Sequence, residues 1–147
     1  MKSIFENLWL WIPIITWFVV QLLKVLFELI KYKKLNIKRM VGSGGMPSSH
    51  SALVCSLATT IGITEGINSP MFAITVALAA IVMYDASGVR RAAGKQAKIL
   101  NQIIESEGKN INVQEKLIEL LGHTPLEVYV GAAIGIAMAV FMVPLWR

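Results

Sequence analysis

Two histidines have side chains suited to chemistry near neutral pH. His50 and His123 are the only histidines among 147 residues, and each stands at the predicted start of an apolar helix. An imidazole can act as a nucleophile or as an acid–base group. Two positioned imidazoles suit phosphoryl transfer through a phosphohistidine, in which one attacks phosphorus and the other protonates the leaving oxygen. We therefore expect a catalytic pair, against the alternative that both histidines are structural.

A glycine-rich run, GSGGMPSSHS over residues 42–51, precedes the apolar helix that contains His50. Its glycines allow a close approach of the backbone to another group, and Pro47 suits the first turn of a helix. The free N–H groups and the dipole at a helix N-terminus favour a phosphate-like anion. Gly45, Ser48 and Ser49 are therefore predicted to bind phosphate.

A bound phosphate also needs positive charge around it. The candidates are basic residues near the same predicted helix ends: Lys24, Arg39, Arg90, Arg91 and Lys95. Asp85 is expected to belong to the site or simply to pair with an arginine. Two alternatives stay open: Lys24 can reach the membrane interface from within its helix, and the arginines can serve only as topology charges.

Glu127 lies one helical turn after His123 and is a candidate to orient its imidazole. However, Thr124-Pro125-Leu126-Glu127 also has the pattern of a helix-capping box. That pattern explains Glu127 without any catalysis, and it leaves His123 unexplained.

The composition indicates an integral membrane protein. Hydrophobic residues make up 55% of the chain and charged residues 16%, whereas soluble domains average roughly 45–50% and about 25%. The mean hydropathy is +0.61. The net charge of +5 is concentrated at 31–39 and 90–98, a pattern typical of loops beside a membrane and not of a nucleic-acid face. The single cysteine, Cys55, excludes a disulfide framework within the chain and a cysteine-rich metal site.

The hydropathy pattern predicts one all-α domain over residues 1–147, a membrane-embedded helical bundle. About four transmembrane helices are expected, at 7–30, 48–63, 70–84 and 124–145, with the third continuing as a helix to 104. The first is read as a retained span and not as a signal peptide. A short amphipathic helix is expected at 113–121, ended by Gly122. Gly131 and Gly135 favour close helix packing, including association between copies of the chain.

The distribution of basic residues predicts the orientation. Loop 31–47 and segment 85–123 are rich in Lys and Arg, whereas turn 64–69 has neither. The positive-inside rule therefore places both long segments in the cytoplasm, and we expect a bacterial plasma membrane. This topology brings three polar clusters to one face of the membrane: the glycine-rich run, residues 85–91, and residues 123–127.

The motif Pro47-Ser48-Ser49-His50 resembles the P-S-G-H signature of the type-2 phosphatidic acid phosphatase and vanadium haloperoxidase superfamily. The runs 44–52, 85–97 and 122–125 are similar to the divergent branch of that superfamily, which consists of small membrane proteins. The resemblance implies a phosphatase acting on a membrane-lipid phosphate, such as a phosphatidate or a polyprenyl phosphate, with no metal or other cofactor. It makes His123 the nucleophile, Glu127 its orienting acid, His50 the general acid, and Ser48 a phosphate ligand.

The chain departs from the superfamily motifs at several positions. Leu117 stands where the third motif has an arginine, and Ser49 replaces a glycine. The first motif, K-x6-R-P, has no exact match around Arg39. We expect Arg90 or Arg91 to replace the missing arginine, and Lys24 or Arg39 to replace the first motif.

Two other functions remain open at this point. One is a non-catalytic membrane protein that binds phosphate or anionic lipid at a degenerate phosphatase site. The other is a metal site formed by His50, His123, Asp85 and Glu127.

Overall fold

The computed structural model describes residues 4–33, 45–106, 117–119 and 121–146. These residues form a bundle of five α-helices after a short 3₁₀ turn, Ile4–Glu6. The helices are α1 (Leu8–Tyr32), α2 (Ser49–Thr64), α3 (Pro70–Ser87), α4 (Val89–Ser106) and α5 (Pro125–Trp146). The described residues contain no strand, as the sequence predicts.

Short polar residues begin the first three helices. The side chains of Asn7, Ser48 and Ser69 each accept a hydrogen bond from a backbone N–H in the following turn. Pro70 occupies the first turn of α3, where a missing N–H costs nothing. Pro47 was expected in the same position of α2, and that prediction is wrong. It precedes the cap residue Ser48, whose hydroxyl accepts a hydrogen bond from the backbone N–H of Ser51.

Three helical segments are long and apolar enough to cross a membrane: Leu8–Ile30, Pro70–Ser106 and Pro125–Trp146. The chain is therefore a helical membrane protein. The predicted second span differs from these, since α2 has only 16 residues, about 24 Å of helix against the roughly 30 Å of a bilayer core. It is the central helix and packs against α1, α3 and α5.

The small-residue pair of α5 packs against the start of α2. A Cβ atom at Gly131 would overlap the carbonyl of Ser48, and one at Gly135 would overlap the carbonyl of Ala52. Close helix packing is therefore observed, but within one chain. The expectation that small-residue helix faces also join two copies of the chain stays a prediction.

The long helix predicted from 70 to 104 is interrupted at Gly88, which ends α3 immediately before α4 begins. Glycine is a weak helix former, and here it lies close to the Tyr84 carbonyl, 2.8 Å from where a Cβ would stand. The amphipathic helix of this protein is α4. It buries Gly94, Ala97 and Asn101 and exposes Ile99 and other apolar residues.

The amphipathic helix predicted at 113–121 is not observed in its described part, because residues 117–119 are not helical. Residues 111–116 and 120 lie outside the described residues. The Asn101 side chain bonds both backbone groups of Leu117, at 2.9 Å to its carbonyl and 3.1 Å from its N–H. These bonds hold Leu117 against α4.

The polar stripe of α1 faces the interior of the bundle. Gln21 and Lys24 are 4% and 5% exposed, and the Lys24 ammonium donates a 3.2 Å hydrogen bond to the Ser49 hydroxyl. Lys24 therefore does not reach out to the interface. It carries a positive charge to the start of α2, inside the bundle.

Candidate functional site

Chain direction brings four helix ends together at one end of the bundle. α1 and α3 end there, and α2 and α5 begin there, as three contacts demonstrate: Lys24 with Ser49, Ser48 with Glu127, and His123 with Ala86. A cavity of about 110 Å³ opens at this end. It is lined by a residue or more from each of the three polar clusters: His50, Val82, Asp85, Ala86, Arg90, Gly122 and His123.

His123 is held against the end of α3 by its backbone. Its N–H donates a 2.9 Å hydrogen bond to the carbonyl of Ala86. Gly122 makes this approach feasible, since it has a φ of +82° and a Cβ there would overlap the backbone nitrogen of Arg91. The two contacts fix the loop before α5 to the junction of α3 and α4.

The imidazole of His123 is buried and incompletely bonded. The residue is 4% exposed, and its Nε2 has no hydrogen-bond partner among the described residues. Burial lowers the pKa of His123 below its ordinary value of 6.5, and the Lys24 charge lowers it further, against an opposing effect of the Glu127 carboxylate. At neutral pH the imidazole is therefore uncharged, with a nitrogen lone pair available.

Glu127 forms the capping box that the sequence suggested. The N–H of Thr124 donates to the Glu127 carboxylate at 2.7 Å, and the N–H of Glu127 donates to the Thr124 hydroxyl at 3.4 Å. The Glu127 carbonyl also accepts from the N–H of Ser48 at 3.0 Å, which joins the first turns of α5 and α2. The carboxylate acts on His123 through its charge and not through a described hydrogen bond.

Ser48 and Ser49 form a buried wall behind His50. The Ser48 hydroxyl accepts from the N–H of Ser51 at 3.4 Å and from the Ser51 hydroxyl at 2.9 Å, and the Ser49 hydroxyl accepts from Lys24. Neither serine lines the cavity. They position the helix start and the Lys24 charge, whereas His50 itself faces the cavity.

Arg90 is the cation that lines the cavity among the described residues. Its Nε donates to the Asp85 carboxylate at 2.5 Å, and its side chain is 54% exposed. Asp85 therefore both lines the cavity and orients the guanidinium. The pair leaves the other guanidinium nitrogens of Arg90 available to an anion.

Besides Lys24, Ser48, Ser49 and Glu127, three further predicted site residues in the described part of the chain do not line this cavity. Arg91 and Lys95 lie on other parts of α4 and do not line it. Gly45 is exposed with a φ of +85°, a conformation that favours glycine, and it does not line the cavity either. Arg39 lies outside the described residues.

Sequence reasoning missed three lining residues. Val82 and Ala86 have no polar group to draw attention to them. Gly122 was noticed, but as the end of a helix and not as the residue that lets His123 approach α3. Its position directly before His123 is the sequence feature that could have indicated this role.

The metal alternative lacks a donor set in the described part of the chain. No three side chains of His, Cys, Asp or Glu there lie close enough to hold one ion. Asp85 already forms an ion pair with Arg90, and the Glu127 carboxylate already accepts the hydrogen bond from the N–H of Thr124 in the helix cap. Two imidazoles and a guanidinium around a small cavity instead suit a phosphate-sized anion.

The helices and this cavity define a helical membrane protein with a candidate anion site at one end of its bundle. The chain belongs to the Divergent PAP2 family, whose sequence profile matches residues 5–138. It is 38% identical over 134 residues to the uncharacterized membrane protein YuiD of Bacillus subtilis (strain 168). That similarity covers 83% of this chain and 85% of the relative. No solved structure matches the chain.

Proposed function

We propose that this protein is a phosphatase of a lipid phosphate and that it works through a phosphohistidine on His123. The observation that carries the proposal is the cavity in which His50, Arg90 and His123 meet. The buried, unpartnered Nε2 of His123 supports it, since a buried polar atom without a partner costs about 1–3 kcal/mol and calls for an explanation.

In the first step, a nitrogen of His123 attacks phosphorus, and the bond between phosphorus and the lipid oxygen breaks. His50 acts here in its protonated form, although burial and then the Arg90 and Lys24 charges lower its pKa below 6.5; it donates its proton to the leaving oxygen, so the lipid departs as an alcohol. The imidazole of His123 turns toward the cavity in this step, because Nε2 has no exposed surface in the resting arrangement. Arg90 and the charge of Lys24 stabilise the negative phosphoryl oxygens.

In the second step, a water molecule attacks phosphorus of the phosphohistidine. His50, now unprotonated, accepts a proton from that water, and the bond between phosphorus and the imidazole breaks. Inorganic phosphate leaves, and His123 returns to its neutral form. The Glu127 carboxylate favours the positive charge that His123 carries while it is phosphorylated.

The membrane location favours a lipid as the phosphate carrier. The apolar helices hold the site at one end of a bundle embedded in lipid. The positive-inside rule, applied to the basic segments of the sequence, supports a site on the cytoplasmic side, and the relative from a bacterium favours a bacterial plasma membrane.

Phosphate release from long-chain phosphatidate by the purified protein in lipid nanodiscs tests the proposal. We expect turnover that vanadate inhibits and that chelators leave unchanged. His123→Asn should lower the rate by about 10³-fold or more, because it removes the nucleophile. Alkaline quenching of the wild-type reaction should trap an acid-labile phosphate on His123.

Arg91→Gln is the matched control, since Arg91 adjoins Arg90 but does not line the cavity. It should retain most of the rate. A His123→Asn protein that elutes as the wild type does and hydrolyses phosphatidate at the wild-type rate would overturn the proposal. The phosphohistidine measurement decides the question if that variant fails to fold.

A second function, binding of phosphate or anionic lipid without turnover, has one observation in its favour. The Glu127 carboxylate bonds to the N–H of Thr124 and is not engaged with the imidazole that it would orient. Phosphate binding by the purified protein, with no hydrolysis across phosphatidate and polyprenyl phosphates, would establish this function in place of the enzyme.

A further inference from the structure

A second cavity lies beside the candidate site, between α3 and α5. Its volume is about 450 Å³. α3 contributes the positions 76, 79, 80, 83, 84 and 87, which share one face of the helix at spacings of three and four residues. The first turns of α5 contribute Pro125, Val128 and Tyr129. We name this cavity the α3–α5 groove.

The α3–α5 groove adjoins the site cavity across the last turn of α3. Tyr84 and Ser87 line the groove, whereas Asp85 and Ala86 between them line the site cavity. On the other side, Pro125 lines the groove only two residues after His123. The last turn of α3 and the start of α5 therefore separate one polar cavity from one apolar groove.

The lining of the groove changes from polar to apolar with distance from the site. Tyr84 and Tyr129 are 76% and 67% exposed and stand near its site end, as tyrosines do at a membrane interface. Val76 and Ala79 lie further along α3. The lining from position 76 to position 87 covers about 16 Å of helix, close to the roughly 15 Å of one bilayer leaflet.

We propose that the α3–α5 groove binds one hydrocarbon chain of the lipid whose phosphate occupies the site cavity. This proposal rests on the proposed function and narrows it to lipid phosphates with a long acyl or isoprenoid chain. The groove opens from membrane-spanning helices, so a chain enters it from the bilayer without passing through water. A soluble phosphomonoester has no group to fill it.

Filling the groove tests the proposal. Ala80→Phe places a ring in it, and Ala77→Phe is the matched control, since Ala77 is exposed on the same helix but does not line the groove. With long-chain phosphatidate, we expect Ala80→Phe to lower kcat/KM by about tenfold or more and Ala77→Phe to leave it unchanged. With soluble dihexanoyl phosphatidate, both variants should match the wild type.

An equal effect of Ala80→Phe on both substrates, or no effect on either, would overturn the groove assignment. Total inactivity of the wild type would overturn the proposed catalysis instead. A crosslinking measurement, which needs no turnover, then tests the groove assignment independently of catalysis. Phosphatidate with a diazirine at the middle of its acyl chain should crosslink to the groove face of α3 or to Tyr129 in the wild type, and less in Ala80→Phe.

Competition between unlabelled lipids identifies which kind of hydrocarbon chain the groove binds. Unlabelled phosphatidate or a long polyprenyl phosphate should suppress the crosslink, whereas glycerol phosphate should not. The stronger competitor distinguishes an acyl from an isoprenoid chain. Crosslinks elsewhere in the protein, or suppression by neither lipid, would contradict the proposal even if the protein hydrolyses phosphate esters.

Discussion

The backbone N–H of His123 donates a 2.9 Å hydrogen bond to the carbonyl of Ala86. This bond joins the loop before α5 to the last turn of α3, whose carbonyl groups have no partner within the helix. It places His123 beside Asp85 and Arg90, which are more than thirty positions earlier in the chain. The geometry of the candidate site depends on this contact and on the glycine that permits it.

Gly122→Ala should disrupt the site more than an ordinary glycine substitution does. A side chain at a φ of +82° costs about 1–2 kcal/mol, and a Cβ here would also overlap the backbone of Arg91. Gly66→Ala is the control, because Gly66 has a φ of +88° and open space around it. Thermal unfolding in detergent should show a clearly larger loss for Gly122→Ala. Equal losses would mean that the loop does not approach α3 this closely.

Gly135→Val should destabilise the fold of the single chain. Its side chain would overlap the Ala52 carbonyl on α2, and overpacking of this kind costs about 1–3 kcal/mol or more. Ala137→Val, at an exposed position of α5, should have little effect. The unfolding midpoint in detergent measures both. A Gly135→Val variant that only changes the oligomeric state, with unchanged unfolding, would place this face between copies.

The rate of the proposed reaction should fall on the acid side with an apparent pKa below 6.5. Burial and the Lys24 charge lower the pKa of His123, and only its neutral form is a nucleophile. The profile of kcat/KM against pH reports this pKa in the free protein.

Two variants should shift the acid side of this pH profile, the acid limb, in opposite directions. Lys24→Met removes a charge that disfavours imidazolium, so the limb should move to higher pH. Glu127→Gln removes a charge that favours imidazolium and keeps an oxygen for the cap, so the limb should move to lower pH. Shifts of the same sign in both variants would contradict the assignment of the limb to His123.

Arg90→Gln should weaken inhibition by vanadate about tenfold, because hydrogen bonds from a charged donor are worth roughly 1.5–3 kcal/mol and Arg90 is partly exposed. Arg91→Gln should change the inhibition constant by less than about twofold. A larger effect of Arg91 than of Arg90 would show that the neighbouring arginine supplies the charge.

The sequence by itself determined that the chain is a membrane protein, where most of its helices begin and end, and which helix ends carry the polar groups. These follow from local properties: apolar runs of sufficient length, the helix start at Ser69 and Pro70, and the capping box at Thr124 and Glu127. The family resemblance also came from contiguous residues, and the family profile confirms it. Each of these signals lies within a few residues of the chain, where periodicity and capping chemistry act.

Only the tertiary structure decided which polar residues share the cavity. Arg90 and Arg91 are equivalent in sequence, and the helix turn of about 100° between them puts one at the cavity and the other away from it. The packing also decided that Gly131 and Gly135 meet α2, and that Lys24 points inward. Such choices depend on contacts between residues far apart in the chain, since only the assembled bundle fixes which face of each helix is buried.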